Sequence, residues 1–436
     1  MSRRTVPPDS CPPLLIVKIG CYPLHHGTVA AVRSLGRLGV PVYAVMEDRF
    51  APVGLSRYLT GRFLWPTTGG EPVAALLDGL RRIGARLGRP AVALATDDEA
   101  AILLAAHRAE LAGLFLLPPV DPALPGRLAD KQGLYTLCRE HGVPTPETTV
   151  ATSANTLRDA VKRLGLPVVV KNPAPWERLL IPVVKGTTVL RDQEEVSVVE
   201  QALERSGHGS VLVQEYLPPA DGSAAQAEDW FTHLYCPTGE RPPLVFTGIK
   251  LRSWPHGGGV TTRGHAAAHP RLAAETAEFC RAIGYRGIAD LDWRRDPRDG
   301  RLKLVDFNPR VGAQFQVFRS TAGIDVVRAM YLDLTGRVVP HGEQVDAREL
   351  VVEHLDAAAA LNGLLHRRAD PQHPRPVRRE AAWFAWDDPL PFAVATARFT
   401  AAAARRVADA APRRVADAVR SARAAGREQR SAPPGP

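Results

Sequence analysis

Val305-Asp306-Phe307-Asn308-Pro309-Arg310 and, upstream of it, Asp290-Leu291-Asp292-Trp293 are the stretches from which the rest of this chain is read. Between them lies Asp296-Pro297-Arg298-Asp299-Gly300, with the Asp, Pro and Gly of a tight turn. Residues 288–294 and 302–308 are therefore predicted to be the two strands of a hairpin. Side chains alternate between the faces of a strand, so Asp290 and Asp292 share one face, and Asp306 and Asn308 share one face of the partner. Leu291, Val305 and Phe307 are apolar, which implies one buried face and one polar face. A lone Asp-x-Asp is more often a solvated decoration; two such pairs on neighbouring strands argue for a site. If the polar faces coincide, three carboxylates and an amide oxygen converge, all hard donors suited to Mg²⁺. Asp292, Asp306 and Asn308 are the metal-ligand candidates. Arg310, just past the strand, is placed to clamp a transferring phosphoryl group.

Further upstream, Leu166-Pro167-Val168-Val169-Val170 closes on Lys171. That lysine either lies along a strand rim with its head in water or presents a point charge to nucleotide phosphates. Val213-Gln214-Glu215-Tyr216-Leu217 ends another strand before Pro218-Pro219, as a hinge between lobes would. Backbone groups there suit an adenine edge, with Glu228 or Asp229 available to ribose hydroxyls. Lys250 and Arg252, in a strand-edge Lys-x-Arg, are candidates for binding acyl oxygens, the alternative being an exposed strand rim. Gly257-Gly258-Gly259 would let the backbone approach a substrate closely.

The first 120 residues have a βαβ rhythm. Leu14–Val17 is a continuous apolar run, as in a buried parallel strand. Thr28 is read as the cap of a helix over 29–38 that closes at Gly39, and Val42–Val45 is the next strand. A helix over 73–87 precedes a strand at 91–95, after which Asp97-Asp98-Glu99 opens another helix. An open parallel sheet binds ligands beyond the carboxyl ends of its strands, which puts Gly20–Gly27 and Thr96–Glu99 at one mouth. From 121 to 340 the elements change to short antiparallel strands between helices, two α+β lobes with a hinge near 214–219. Residues 341–390 are read as a C-terminal extension, and 391–436 as an Ala/Arg-rich, partly disordered helical tail.

At 436 residues with 45% apolar content, the chain has material for several cores. No apolar run approaches the ~20 residues of a membrane span. The N-terminus lacks the apolar region and cleavage site of an export signal, so the expected location is the cytoplasm. The five cysteines have neither metal-ligand nor disulfide-framework spacing. Of the net charge of +9, five units lie in residues 401–436, where eight Arg face three acidic residues. The basic balance therefore describes the tail and does not argue for nucleic acid.

Taken in order, Ala129-Asp130-Lys131, Lys171, Gln214-Glu215-Tyr216, Asp292-Trp293 and Asp306–Arg310 resemble the ATP-grasp superfamily over roughly residues 120–335. The chain is more closely similar to the actinobacterial carboxylate–amine ligases, which are D-aspartate-ligase-like. That likeness is carried by Arg33–Gly39, Ser56-Arg57-Tyr58, Asp97-Asp98-Glu99, Lys250-Leu251-Arg252 and Arg295–Arg301. Asp306 stands where that family usually has Glu, and the loop 172–185 carries no glycine. The resemblance implies an N-terminal open parallel sheet (the pre-ATP-grasp domain), a two-lobed ATP-grasp fold and a helical basic tail, thus α/β and α+β. It implies ATP between two β lobes, with Lys131 and Lys171 on the phosphates; the stiffer loop 172–185 points either to a larger substrate or to Lys185 as an additional phosphate contact. Gln214, Glu215, Tyr216 and Glu228 would surround the nucleoside. Asp292, Asp306 and Asn308 would hold two Mg²⁺ ions, with Mn²⁺ as a substitute, and Arg310, Lys250 and Arg252 would stand at the reacting centre. The implied reaction phosphorylates a carboxylate to an acyl phosphate, which an amine converts to an amide with release of ADP and phosphate. A thiol or other acceptor is the enzymatic alternative, and a nucleotide-binding module the non-enzymatic one. Expected partners are a small-molecule carboxylate and an amine, with no specific nucleic acid, no membrane span and a homodimer as a candidate assembly.

Overall fold

A computed structural model describes residues 11–22, 24–173, 182–184, 186–207, 209–218, 229–254, 259–365, 376 and 378–405. Three sheets organise them. The first is parallel, in the order β3-β2-β1-β4-β5, from β1 (Leu14–Val17), β2 (Val42–Met46), β3 (Gly61–Leu64), β4 (Ala91–Ala95) and β5 (Phe115–Leu116). Its helices are α1 (His26–Gly36), α2 (Val73–Leu87), α3 (Asp98–Ala106) and α4 (Arg108–Leu111). All four residues of β1 are buried, as expected for a strand covered on both faces. Asp97 caps α3 by accepting from Ala100 N (2.8 Å), and its other oxygen accepts from Ile19 N and Gly20 N (both 2.8 Å). One side chain thus ties together the ends of β1 and β4. The sequence reading of Thr28 as a cap does not hold. The helix begins earlier, at His26, and the Thr28 hydroxyl instead meets His25 Nδ1 at 3.0 Å.

After α5 (Leu124–Ala129) and α6 (Lys131–Glu140) comes a four-stranded antiparallel sheet, β6-β9-β7-β8. It is built from β6 (Thr148–Ala151), β7 (Val168–Lys171), β8 (Thr188–Leu190) and β9 (Val211–Glu215), with α7 (Ala154–Leu164) and α8 (Gln193–Ser206). The third sheet has seven strands in the order β14-β13-β10-β11-β12-β15-β16. These are β10 (Asp229–Cys236), β11 (Leu244–Trp254), β12 (Val260–Ala266), β13 (Gly287–Arg295), β14 (Leu302–Asn308), β15 (Arg348–Val351) and β16 (Arg378–Ala381). Helices α9 (Pro270–Ala282), α10 (Val326–Leu334) and α11 (Glu353–Leu365) accompany it.

Residues 341–390 are therefore not an appended extension. β15 pairs with β12, and β16 pairs with β15 in parallel, so both strands complete the large sheet. The chain then returns to the first domain. Asp388, whose side chain is 2% exposed, accepts from Arg33 Nε (2.9 Å), Ser56 Oγ (2.7 Å) and Arg57 N (2.9 Å). Asp387 receives both Arg37 (2.7 and 2.8 Å) and the Tyr58 hydroxyl (2.8 Å) at the surface. The Arg33–Gly39 and Ser56–Tyr58 motifs thus form a dock for the returning chain. A shared core runs across the same junction, with Val29, Val32 and Leu35 of α1 in one buried cluster with Val327 and Met330 of α10. A helix from residue 390 reaches the last described residue, 405; the rest of the basic tail lies outside the described residues.

Asp388→Ala leaves the buried Arg33 guanidinium without a counter-charge, a loss expected to cost about 3–5 kcal/mol. Asp387→Ala, which breaks a pair whose side chains are 38% and 44% exposed, is expected to cost under about 1 kcal/mol. Urea unfolding of both variants measures the contrast.

Candidate active site

The predicted hairpin is present, and its register decides the site. β13 pairs antiparallel with β14 so that Asp290 faces Asn308 and Asp292 faces Asp306. Directly opposed residues project to the same side of the sheet. The intervening pair, Leu291 and Phe307, projects to the other side and is wholly buried in an apolar cluster with Leu304 and Trp293. The four oxygen-bearing side chains therefore do share one face.

Cations from other elements meet that face. Lys131, the first residue of α6, hydrogen-bonds Asp306 Oδ1 through its Nζ, and Lys250 of β11 places its Nζ 2.7 Å from Asp292 Oδ1. Arg310 donates from Nη1 to Asp290 Oδ2 (3.0 Å). Asn308 Nδ2 donates to the Asp290 carbonyl (3.1 Å), which leaves the amide oxygen for a ligand. Lys171, at the end of β7, donates to Gln214 Oε1 (3.2 Å), and Gln214 in turn donates from Nε2 to Thr148 Oγ1 (3.0 Å).

Burial pushes the Lys171 ammonium down to about 8, against the pull of nearby Asp306. Burial also pushes Asp306 upward, but Lys131, then Lys171 and Arg310, outweigh it and hold the carboxyl below its ordinary range. Asp292 goes the other way: burial, with Asp290 and Asp306 beside it, raises its carboxyl despite Lys250. Lys250 is raised because Asp292 outweighs the effect of its burial. Such opposed environments for neighbouring titratable groups mark functional sites.

Other sequence candidates are occupied elsewhere. Arg252 is held by Asp356 of α11 (2.8 Å), which Arg263 also binds (2.6 Å), so the structure does not bring Arg252 to the hairpin carboxylates. Glu215 accepts from Arg298 (2.5 Å), Lys303 (3.3 Å) and Glu147 N (3.2 Å), so its carboxylate braces β9 against the hairpin turn. Asp229 is taken by both Arg294 nitrogens (2.6 and 2.9 Å), and Tyr216 is half-buried near the same arginine. Lys185, Glu228, Gly257 and Gly258 lie outside the described residues.

The pattern-based reading missed His233 and the full part played by Asp290. His233 is completely buried on β10 directly opposite Asp290, with its Nε2 3.3 Å from Asp290 Oδ1. Burial lowers its imidazole to about 4. Gly312 lies over the pair: a Cβ there would meet His233 Cε1 at 2.1 Å and Asp290 Oδ2 at 2.4 Å. The β10–β13 pairing joins residues far apart in sequence, so only alternation within β10 hinted at it.

Among the described residues no three His, Cys, Asp or Glu side chains form a ready-made metal cage. Mg²⁺ is ordinarily held by one or two carboxylates together with a substrate's phosphates. Asp292, Asp306 and the Asn308 oxygen fit that role by donor chemistry.

No family model matches the sequence. The D-aspartate ligase of Enterococcus faecium (strain Aus0004) is 25% identical over 249 residues, covering 54% of this chain and 56% of the relative. The match thus spans little more than half of that relative's length. Among solved structures, the ADP complex of N5-carboxyaminoimidazole ribonucleotide synthetase aligns with a TM-score of 0.58 at 12% identity, over 84% of this chain and 91% of the other. The L-amino acid ligase of Bacillus licheniformis aligns with a TM-score of 0.54 at 18% identity, over 74% of each chain. The chain has the ATP-grasp fold.

In ATP-grasp terms the two lobes are the four-stranded and seven-stranded sheets, with the site face of β13 and β14 at their meeting. Lys171 stands on one lobe and Asp306 on the other. Burial of the Lys171 ammonium carries a stability cost. Its ammonium titrates near 8 in the folded chain but near the ordinary 10.5 when unfolded. Below about pH 8 that cost is present in full, and as pH rises from 8 towards 10.5 the unfolded state binds more protons, so stability rises. Lys171→Met is therefore expected to stabilise the ligand-free protein by about 2–3 kcal/mol at pH 7. The gain should fade towards pH 10.5 in urea titrations run across that window.

Proposed function

We propose that this protein is an ATP-dependent ligase that phosphorylates a carboxylate and passes the acyl group to an amine, releasing ADP and phosphate. The observation that carries the reading is the register of β13 on β14, which lines Asp292, Asp306 and Asn308 on one face beside Lys131, Lys250 and Arg310. Phosphoryl transfer needs little covalent help from a protein. It needs positioned cations along the phosphates and a metal site of hard oxygens. The similarity to D-aspartate ligase and the fold shared with an L-amino acid ligase support an amine as acceptor.

In this reading ATP lies between the lobes. Lys131 and Lys171 bind its phosphates, and Gln214, Glu215 and Tyr216 border the nucleoside through the β9 backbone. Mg²⁺ bound by Asp292, Asp306 and Asn308 supplies charge neutralisation along the phosphates. Lys131, beside Asp306, is placed to reach phosphate, and Lys250, beside Asp292, to reach the substrate's acyl oxygens; a Mg²⁺ held by Asp292, Asp306 and Asn308 would take up the charge of those carboxylates. Arg310, held by Asp290, faces the transferring group, and the carboxylate attacks in line. The site leaves Arg252 outside the reacting centre, as a brace of β11 and β12 against α11. A cytoplasmic location and a homodimer belong to the same proposal; among the described residues no helix is long and apolar enough to cross a membrane.

A screen of amino acids and peptides in pairs, with ADP release as readout, tests the function: release should require a carboxylate and an amine together. Asp306→Asn removes one charge from the metal site and is expected to lower turnover by about 10²-fold or more. Near-wild-type turnover of that variant at saturating Mg²⁺ would contradict the metal assignment. Lys171→Met should weaken ATP binding by about 10–100-fold, the loss of a charge-assisted contact of about 1.5–3 kcal/mol. Lys162→Met on exposed α7 should leave it unchanged, and calorimetry separates the two.

A further inference from the structure

A second set of buried charges lies apart from the hairpin, where β15 runs beside β16. Their parallel pairing sets Arg348 directly opposite Arg378. Like charges so placed repel. Arg348 is 5% exposed, and its Nη2 donates to Glu380 Oε1 (2.5 Å) and to the Gln316 carbonyl (3.3 Å). Its Nε is buried and meets no acceptor. Arg378 Nε lies 3.2 Å from the same Glu380 oxygen. Arg319 is the third cation. It makes no ion pair and no side-chain hydrogen bond with the described residues, and its Nε too is buried. Its backbone is fixed: Arg319 O accepts from Val345 N (2.9 Å), and Ser320 bridges to Gln344.

Three guanidiniums therefore share one carboxylate, an excess of two positive charges. Burial lowers the Arg348 guanidinium from its ordinary range; Glu380 opposes this, and Arg319 and Arg378 add to it. Arg328 of α10 also feels Arg319, but it has a carboxylate of its own in Asp325 (3.4 Å). Asp325 is further committed to the Ser34 hydroxyl (2.6 Å) and to Arg328 N (2.9 Å), so it supplies no counter-charge to Arg319. A buried N–H without an acceptor is costly, and more so on a charged group. Two such N–H groups on neighbouring arginines call for one anion between them.

We propose that Arg319, Arg348 and Arg378 bind a phosphate group in its dianionic form, at a site separate from the reacting centre. From β13 to β15 the large sheet crosses four strand spacings, roughly 19 Å, so this group is not part of a nucleotide bound along Lys131 and Lys171. A phosphate dianion matches the two excess charges. Its tetrahedral oxygens also suit guanidiniums that arrive from three separate segments. A carboxylate is filled by the fork of a single guanidinium and carries one charge, and a metal cation has the wrong sign. The bound anion would join β15 and β16 to the loop that begins at Arg310, because Arg319 closes that loop and Arg348 holds its Gln316 carbonyl. The site does not depend on the ligase reading.

Calorimetry on the full-length protein tests this, with inorganic phosphate in one arm and ethyl phosphate, a monoester, in the other. Ionic strength is held constant, since surface charge pairs are screened by salt. Phosphate can also enter the cleft at Lys171, so the titrations use Lys171→Met with and without Arg319→Gln. Arg319→Gln should weaken phosphate binding by about 10–100-fold, the share of one charge-assisted contact. Arg319→Lys, which keeps the charge and loses the fork, should restore part of it. Binding of either ligand through Arg319 supports the site, and the tighter of the two tells whether its source is the free ion or an ester. The unfolding midpoint of ligand-free Arg319→Gln should not fall, because no partner is lost. Coincident isotherms with and without Arg319→Gln would overturn the proposal. So would a lowered midpoint, or malonate bound through Arg319 as tightly as phosphate.

Discussion

The pairing of Asp292 with Asp306 and of Asp290 with Asn308 sets everything else at this site. A slip of one residue would turn every carboxylate into the apolar core and bring Leu291 and Phe307 out to the cleft. Two constraints hold the register. On one face, Leu291, Trp293, Leu304 and Phe307 are buried in a common cluster. At the turn, the nearly buried Asp296 accepts from Arg298 (2.8 Å) and Lys303 (2.8 Å), so the hairpin end is pinned by charge. A bulge between Asp292 and Trp293 leaves Val305 without a partner, and the acidic pairs lie on its far side from the turn.

The same register explains how so many charges tolerate burial. Each aspartate of the hairpin has its own cation, and each cation comes from a different part of the chain: Lys131 from α6, Lys250 from β11 and Arg310 from the loop after β14. Removing either partner of such a pair would leave an uncompensated buried charge. The pairs are also exchangeable, since a metal ion can replace a lysine on a carboxylate and a phosphate can replace the carboxylate on the lysine. Lys131, Lys250 and Arg310 thus balance the charge of the hairpin carboxylates. His233 and Gly312 close the back of the arrangement and confine Asp290 to Arg310.

The hairpin was legible in the sequence because alternation, turn chemistry and apolar neighbours all agreed within some twenty residues. The open parallel sheet was legible for the same local reasons, as β1, β2 and β4 are continuous apolar runs bounded by turns. What escaped depends on distant residues. β15 and β16 are short and flank an Arg- and Pro-rich stretch, so nothing local assigned them to the large sheet. β12 carries Arg263 and Gly264, which blur its alternation. Arg33, Ser56 and Arg57 form a recognisable motif, but their work, holding Asp388, is set by a residue more than 300 positions away. Arg252 and Glu215 had the right chemistry for a site and were claimed by Asp356 and Arg298.

The central claim is that a substrate carboxylate attacks the γ-phosphate at the face of β13 and β14. Oxygen tracing tests it most directly. A carboxylate that stimulates ADP release is labelled with ¹⁸O in both oxygens, and the phosphate released in a complete reaction is examined by ³¹P NMR. An acyl phosphate passes one carboxylate oxygen to phosphorus, so the account predicts a single ¹⁸O in each phosphate. Phosphate free of ¹⁸O would mean that water or another nucleophile attacks the nucleotide, and would contradict it.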